Sequence, residues 1–135
     1  RESIAYARER KTFGKPLAER QAIQWPLVEL ATDVELLRGL VRKTAHEMDE
    51  AGDRVSGVSH KVSMCNYRAN RLVCDAADRA MQVHGGIGYT RHKPFEHIYR
   101  HHRRYRITEG AEEIQMRRVA GYLFGFMGSR APKGV

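Results

Sequence analysis

An apolar repeat with helical spacing runs from about residue 20 to residue 51. Its steps are four and three residues, with one additional step of four, which places the apolar side chains on one side of an α-helix. The repeat consists of Ile23, Leu27, Leu30, Val34, Leu37, Val41, Ala45 and Met48. Pro26 lies near the start, where a missing N–H costs least, and Gly52 is suited to end the helix. The pattern predicts one long helix that buries these residues in a core.

A second helical segment is predicted from about residue 58 to residue 84. Its alanine-rich stripe would let a neighbouring helix approach closely. The stripe consists of Val62, Cys65, Ala69, Leu72, Ala76, Ala80 and Val83. Two long helices joined by a short turn form an antiparallel pair. With shorter helices over 1–9, 95–103 and 111–127, the sequence predicts an all-α, up-down four-helix-type bundle over residues 1–128 and a flexible tail at 129–135.

Composition agrees with a folded helical domain. The 135 residues suffice for one core, 41% of them are hydrophobic, and no apolar run approaches membrane-spanning length. Cys65 and Cys74 lie nine residues apart in one predicted helix, too far to bridge, so we expect free thiols in a reducing compartment such as the cytoplasm or the mitochondrial matrix. Because the chain begins with Arg1 rather than Met, we expect it to be part of a longer protein.

Positive charge is concentrated near the carboxy terminus. The formal net charge is +8, and residues 91–135 contain ten Lys or Arg and four Asp or Glu. The densest basic cluster consists of Arg100, Arg103, Arg104 and Arg106. This charge is compatible with an anionic ligand such as coenzyme A, with nucleic acid, or with a subunit contact.

An acidic residue beside a glycine, Glu109-Gly110, stands where this basic segment meets an apolar helix. A purely structural interpretation is available, because Gly110 permits a turn and the acids Glu112 and Glu113 complement a helix dipole. A functional interpretation is a carboxylate base with room beside it for a bulky substrate. The residues alone leave both interpretations open.

Three stretches together resemble one enzyme family. Residues 109–115, Glu-Gly-Ala-Glu-Glu-Ile-Gln, resemble the active-site signature of the acyl-CoA dehydrogenase family, in which the first Glu is the catalytic base. Residues 10–14 and 82–89 resemble the family's flavin-binding segments, in matching order. The resemblance implies the carboxy-terminal helical domain of an FAD-dependent enzyme that dehydrogenates an acyl-CoA thioester between Cα and Cβ.

The resemblance also implies roles for individual residues. Glu109 would remove the α-proton, and Gly110 would border the substrate. The Glu109 backbone N–H and a flavin ribityl hydroxyl would polarise the thioester carbonyl. Ala111 and Glu113 would lie near the flavin of the same subunit. The residues that would contact the FAD of a neighbouring subunit are Arg10, Thr12, Phe13, Gln82, Gly85 and Gly86.

The same resemblance implies a homotetramer or homodimer, an acyl-CoA substrate and an electron-transfer flavoprotein as acceptor, and we do not expect nucleic acid as a partner. The isolated chain would be inactive and would bind FAD weakly or not at all. Three alternatives stay open: an acyl-CoA oxidase, a DNA-binding alkylation-response relative that uses residues 91–135, and a bundle that only oligomerises.

Local alternatives exist for three motifs. Arg10 to Phe13 could be a basic surface turn with Phe13 in the core. The glycines at 85–88 follow a helix and not a strand, which argues against a Rossmann fingerprint. His97 and His101 have the spacing of two metal ligands, but no third ligand with a carboxylate partner is evident, so we expect no metal.

Overall fold

The computed structural model describes residues 1–126 and is predominantly α-helical over that range. The α-helices are α1 (Glu2–Glu9), α2 (Gln21–Ala51), α3 (Ser59–His84), α4 (Phe95–Arg103) and α5 (Glu112–Leu123). Two short strands, β1 (Lys11–Thr12) and β2 (Lys15–Pro16), form an antiparallel pair. Short 3₁₀ segments cover Leu17–Glu19, Gly52–Val58, Gly85–Tyr89 and Arg104–Arg106, and the second of them is kinked at Arg54. The predicted all-α class is confirmed, and the predicted tail at 129–135 lies outside the described residues.

One compact unit consists of residues 1–35 and 72–103. Its core is built largely of small side chains, so its helical backbones pack closely. The buried apolar residues are Ala7, Cys74, Ala77, Ala80, Val83 and Phe95. At the end of α3, the ring of His84 stacks on Tyr6 with centroids 4.3 Å apart and lies 4.5 Å from the ring of Phe95. Tyr6 also donates a hydrogen bond to the carbonyl of His84, which ties α1 to the end of α3.

The second unit comprises residues 36–71 and, in the described part, 104–126. Here α5 meets α3 through Tyr122, whose ring stacks on the buried ring of His60 with centroids 3.4 Å apart. Burial is the main cause of a lowered pKa at His60, so the neutral ring is favoured in this stack.

The second unit confirms an antiparallel arrangement of α2 and α3 within its own segments. Cys65 Sγ lies 3.5 Å from Thr44 Oγ1, and one helical turn further along α2 Glu47 forms an ion pair with Lys61. Increasing residue number on α2 therefore matches decreasing residue number on α3. The segment Gly52–Val58 supplies the short connection that the sequence predicted. Cys65 and Cys74 are free thiols, as predicted.

The buried stripe of α2 departs from the predicted one after Leu37. Val41 is 45% exposed and Ala45 is exposed, whereas Thr44 is only 4% exposed. The stripe instead follows the 3.6-residue period through Leu40 to Thr44, without the additional step of four. Thr44 satisfies its hydroxyl by donating to the carbonyl of Leu40 at 2.8 Å, so its burial leaves this donor paired.

The first half of α3 shows a similar difference. Val62, predicted in the stripe, is 41% exposed, whereas His60 and Ser63 are buried. The predicted stripe, chosen from apolar residues alone, therefore placed the buried face of this half of α3 about one position away from where it lies. None of the helices over residues 1–126 combines the length and the apolar character needed to cross a membrane.

Candidate active site

Glu109 lies in the loop between the 3₁₀ turn Arg104–Arg106 and α5. Its backbone is left-handed, with φ of 58°, and that of Gly110 is left-handed as well, with φ of 91°. A residue with a Cβ pays about 1–3 kcal/mol for such a conformation, so the surrounding structure must stabilise it. The Glu109 side chain is exposed. The turn therefore presents this carboxylate just before α5.

Gln115, one turn into α5, folds back onto the same turn. Its side chain is only 5% exposed, and Nε2 lies 3.3 Å from the carbonyl oxygen of Glu109 and 3.4 Å from that of Gly110. A Cβ on Gly110 would lie 3.0 Å from the same nitrogen. The backbone angle therefore favours glycine at this position, and a side chain there would crowd the Gln115 amide.

Glu112 is the most strongly held ionisable group of this region. It is 8% exposed and accepts hydrogen bonds from two guanidinium groups. Oε2 lies 2.8 Å from Arg106 Nε and 3.2 Å from Arg71 Nε, and Oε1 lies 2.9 Å and 3.1 Å from the terminal nitrogens of the same two arginines. The hydrogen bonds from Arg106 and then from Arg71 lower the pKa of Glu112 from 4.5 to about 2. We call these three residues the Glu112 cluster.

Sequence reasoning missed the Glu112 cluster, because it assigned Glu112 only to the helix dipole. Arg106 precedes Glu112 by six residues across an irregular loop, and Arg71 precedes it by 41. Neither separation has helical or strand periodicity. The one available signal was an acid within a strongly basic segment, which indicates pairing but not the partner.

The two predicted flavin contacts beside Glu109 lie in the same stretch. Ala111 is half-buried and is the residue that immediately precedes α5. Glu113 lies in the first turn of α5 and is exposed. The structure therefore brings Glu109, Gly110, Ala111 and Glu113 together in one short segment of the second unit.

The amino-terminal motif, residues 10–14, is part of a β-hairpin. Lys11 pairs with Pro16 and Thr12 with Lys15, and Phe13-Gly14 is the two-residue turn, with φ of 52° and 79°. Left-handed backbone at both central residues is the pattern of a type I′ turn, which matches the twist of the flanking strands.

Phe13 is 96% exposed at the tip of this hairpin, so the alternative that placed its ring in the core is wrong. Arg20, which sequence reasoning did not select, donates to the carbonyl of Thr12 at 2.9 Å, and its guanidinium lies 5.7 Å from the centroid of the Phe13 ring. Arg10 is exposed at the base of the hairpin and Thr12 is half-buried. The hairpin thus displays a cation and an aromatic ring.

The third predicted motif lies at the end of α3. Gly85 has φ of 63°, which ends the helix as predicted, and Gln82, Gly85 and Gly86 are all exposed. No heavy atom lies within 4 Å of a Cβ built on Gly85 or Gly86. Gly88 differs, because a Cβ there would lie 2.7 Å from a backbone oxygen of α3.

His97 and His101 lie on one face of α4, as their spacing predicts. The rings of His97 and His101 stack with centroids 5.8 Å apart. In the part of the chain that the structure describes, no group of three or more His, Cys, Asp or Glu residues is arranged to hold a metal ion.

Comparison with known proteins places these features in context. The family model described as "Acyl-CoA dehydrogenase, C-terminal domain" matches residues 1–124. The probable acyl-CoA dehydrogenase FadE2 of Mycobacterium tuberculosis is 35% identical over 113 residues, which cover 84% of this chain and 27% of that protein. The caffeyl-CoA reductase–Etf complex subunit CarC of Acetobacterium woodii is 34% identical over 122 residues, covering 90% of this chain and 31% of that protein. The chain therefore spans less than a third of the length of these relatives.

A solved structure agrees with these sequence matches. The structure of a glutaryl-coenzyme A dehydrogenase in complex with glutaryl-CoA superposes with a TM-score of 0.83 at 31% sequence identity. The match covers 98% of this chain and 33% of the other. This similarity over nearly the whole chain confirms the fold class predicted from the sequence.

Proposed function

The chain belongs to the acyl-CoA dehydrogenase family, and we propose that it is the carboxy-terminal helical domain of an FAD-dependent enzyme that dehydrogenates an acyl-CoA thioester between Cα and Cβ. The chain spans 27% and 31% of the two relatives, so we propose that the activity requires a longer protein of which this chain is one domain. The proposal rests above all on the left-handed Glu109-Gly110 turn at the start of α5.

Glu109 is the proposed base. Removal of a weakly acidic α-proton requires a carboxylate within hydrogen-bond distance of the substrate and donors to the thioester oxygen, where negative charge develops. The Glu109 carboxylate is exposed and so accessible to a substrate, and Gly110 adds no side chain that would obstruct a bulky one. The backbone N–H of Glu109 would serve as one donor, and the positive end of the α5 dipole would favour the developing charge.

The residues present fit FAD as cofactor. The hairpin offers the Arg10 guanidinium and the exposed Phe13 ring, a combination suited to a pyrophosphate and an adjacent ring system. The open backbone at Gly85 and Gly86 allows close approach of a ligand. When bound, FAD would supply a hydride acceptor for the β-hydrogen of the substrate. Arg10, Thr12, Phe13, Gln82, Gly85 and Gly86 would hold the FAD of a neighbouring subunit, and Ala111 and Glu113 that of their own.

Sharing FAD in this way requires a homodimer or homotetramer. Electron-transfer flavoprotein is the proposed electron acceptor, which the name of the relative CarC supports, since CarC is a subunit of a complex with Etf. Passage of electrons to oxygen, as in an acyl-CoA oxidase, is the alternative. Anaerobic reduction followed by addition of either acceptor distinguishes the two.

The DNA-binding alternative depends on free cationic side chains in residues 91–135. Arg106 is engaged by Glu112 through two hydrogen bonds, so one of the four arginines of the basic cluster already has a carboxylate partner. This pairing lowers the positive charge that the cluster could offer to nucleic acid. Steep salt-dependent binding to duplex DNA would support the alternative.

The decisive experiment uses the full-length protein. Anaerobic bleaching of the flavin by a panel of acyl-CoA thioesters is compared in the wild type, Glu109→Gln and Glu50→Gln, the last being an exposed acid on α2. We expect Glu109→Gln to slow bleaching by about 10²–10⁴-fold with flavin still bound, because a general base is lost. Glu50→Gln should match the wild type. Absence of bleaching in the wild type, or equal rates in all three proteins, would overturn the proposal.

A further inference from the structure

Two members of the Glu112 cluster, Arg106 and Glu112, flank the loop that contains the proposed base, and the third, Arg71, lies on α3. We propose that Arg71, Arg106 and Glu112 are positioning residues that hold Glu109 in its left-handed turn. This inference rests on the proposed function, because it concerns the geometry of the same base. It adds three side chains that touch neither substrate nor cofactor and act through the backbone of Glu109.

The first step of the argument is the closure of the loop. Arg106 lies three residues before Glu109 and Glu112 lies three residues after it. Two nearly parallel hydrogen bonds, of 2.8 and 2.9 Å, join the Arg106 guanidinium to the two carboxylate oxygens of Glu112. Such a bidentate pair fixes orientation as well as distance. The five residues between the pair are therefore held at both ends, with Glu109 at their midpoint.

The second step is the attachment of this closed loop to α3. Arg71 donates to both oxygens of Glu112, at 3.1 and 3.2 Å, and is the member of the Glu112 cluster that lies on α3. Its guanidinium lies 5.4 Å from the centroid of the Tyr67 ring on the same helix, and a terminal nitrogen lies 3.9 Å from Met116 Sδ. These contacts orient Arg71 toward Glu112. The loop is therefore anchored to a long helix.

The third step is the strain that the turn must withstand. Glu109 has left-handed backbone although it carries a Cβ, and such a residue relaxes to right-handed or extended backbone unless its neighbours prevent this. The Gln115 amide holds the carbonyls of Glu109 and Gly110 from inside the turn, while the Glu112 cluster fixes its ends. Loss of Arg71 frees the anchored side of the loop without altering a residue within it.

The test uses the full-length enzyme with Arg71→Met, Arg71→Lys and the matched control Lys61→Met. Lys61 also lies on α3 and pairs with a glutamate, Glu47, but that glutamate belongs to α2. Two quantities are measured: the exchange rate of the backbone amides of residues 107–111, and kcat and KM for an acyl-CoA that bleaches the flavin.

We expect Arg71→Met to accelerate amide exchange about tenfold and to lower kcat by about ten- to a hundredfold. KM should change less than about threefold, because misplacement of a reacting group reduces kcat more than it weakens substrate binding. Arg71→Lys should fall between Arg71→Met and the wild type, since an ammonium cannot form the bidentate pair. Lys61→Met should leave both quantities unchanged.

Three results would overturn the inference: unchanged exchange in Arg71→Met, faster exchange with unchanged kcat, or equal losses in Lys61→Met. If Arg71→Met does not fold, the comparison of Arg71→Lys with Lys61→Met decides in the same way. A wild-type enzyme that no acyl-CoA bleaches would refute the proposed function and the positioning role with it. If the positioning role alone is wrong, the wild-type enzyme is active and only the Arg71 variants depart from the expected results.

Discussion

The side-chain amide of Gln115 lies 3.3 Å from the backbone carbonyl of Glu109, so the first part of α5 folds back onto the residue that precedes it by six positions. This contact makes the geometry of the turn depend on a buried side chain of the helix. Gly110 lies between them, and a Cβ at that position would lie 3.0 Å from the same amide nitrogen, so the turn disfavours a side chain there.

Gly110→Ala should therefore destabilise the protein. The added methyl would lie 3.0 Å from Gln115 Nε2, and the backbone φ of 91° disfavours any residue with a Cβ. We expect a decrease of about 1–2 kcal/mol in the free energy of unfolding. Gly39→Ala, in the middle of α2 with no atom within 4 Å of the new methyl, should increase it by up to about 1 kcal/mol. Urea unfolding of both variants measures the difference, and a stability change of the same sign in both would contradict the prediction.

Glu112 should make the free energy of unfolding depend on pH in the acidic range. Its folded pKa of about 2 lies below the ordinary 4.5, so the unfolded chain binds a proton before the folded chain does. The stabilisation from Glu112 is complete above about pH 5 and is lost as the pH falls from about 4.5 to about 2. Glu112→Gln should be less stable at pH 7 and should lose less stability over that interval.

Thermal unfolding midpoints between pH 7 and pH 2 test this prediction on the 135-residue chain, followed by far-ultraviolet circular dichroism. Glu113→Gln is the control, because Glu113 is exposed and adjacent to Glu112. It should retain the wild-type dependence on pH. The same slope in wild type and Glu112→Gln would show that other carboxylates account for the acid sensitivity.

Phe13 lies in a conformation that favours a different residue. At the first position of a type I′ turn, Asn relieves the strain of left-handed backbone, and Asn-Gly is the preferred pair. Because the Phe13 ring is 96% exposed, Phe13→Asn removes little packing and should raise the free energy of unfolding by up to about 1 kcal/mol. In the full-length protein the same change should reduce the flavin retained after gel filtration.

The control for Phe13→Asn is Phe124→Asn, since Phe124 is 76% exposed and does not have left-handed backbone. It should change neither stability nor flavin content by much. If Phe13→Asn gained stability and kept its flavin, the Phe13 ring would have no part in binding the cofactor.

Local chemistry accounts for the parts of the fold that the sequence could predict. Helix α2 was expected over 20–51 and runs Gln21–Ala51, and α3 was expected over 58–84 and runs Ser59–His84. Gly52 and Gly85, which follow these helices, have φ of 50° and 63°. Each glycine adopts the left-handed conformation that commonly ends a helix, so the endings were encoded within a few residues.

Burial and pairing depend instead on distant parts of the chain. Thr44 can be buried at little cost because its hydroxyl donates a hydrogen bond within its own helix, and a search for apolar residues does not find such a position. Arg71 meets Glu112 across 41 residues, and no periodicity links them. The motif containing Glu109 could be recognised from its residues, whereas the side chains that hold its turn could be found only from the structure.

Two glycines only two residues apart should differ strongly in how much stability the same substitution costs. In Gly88→Ala the new methyl would lie 2.7 Å from the carbonyl oxygen of Met81 and 2.8 Å from Cβ of His84. Neither atom can move without shifting α3, so we expect a loss of about 2–3 kcal/mol in the free energy of unfolding. Gly86 has no atom within 4 Å of a new methyl, so Gly86→Ala should change stability by less than about 0.5 kcal/mol.

Flavin content separates the two positions further. If the cofactor of a neighbouring subunit approaches the backbone at Gly86, the methyl of Gly86→Ala should lower flavin retention in the full-length protein while the fold stays intact. Gly88→Ala should lose flavin only in proportion to unfolded protein, measured by circular dichroism on the same samples. A stable Gly86→Ala protein with full flavin would remove Gly86 from the cofactor site and would leave Gln82, Gly85 and the hairpin at Phe13 as candidates for contact across the subunit boundary.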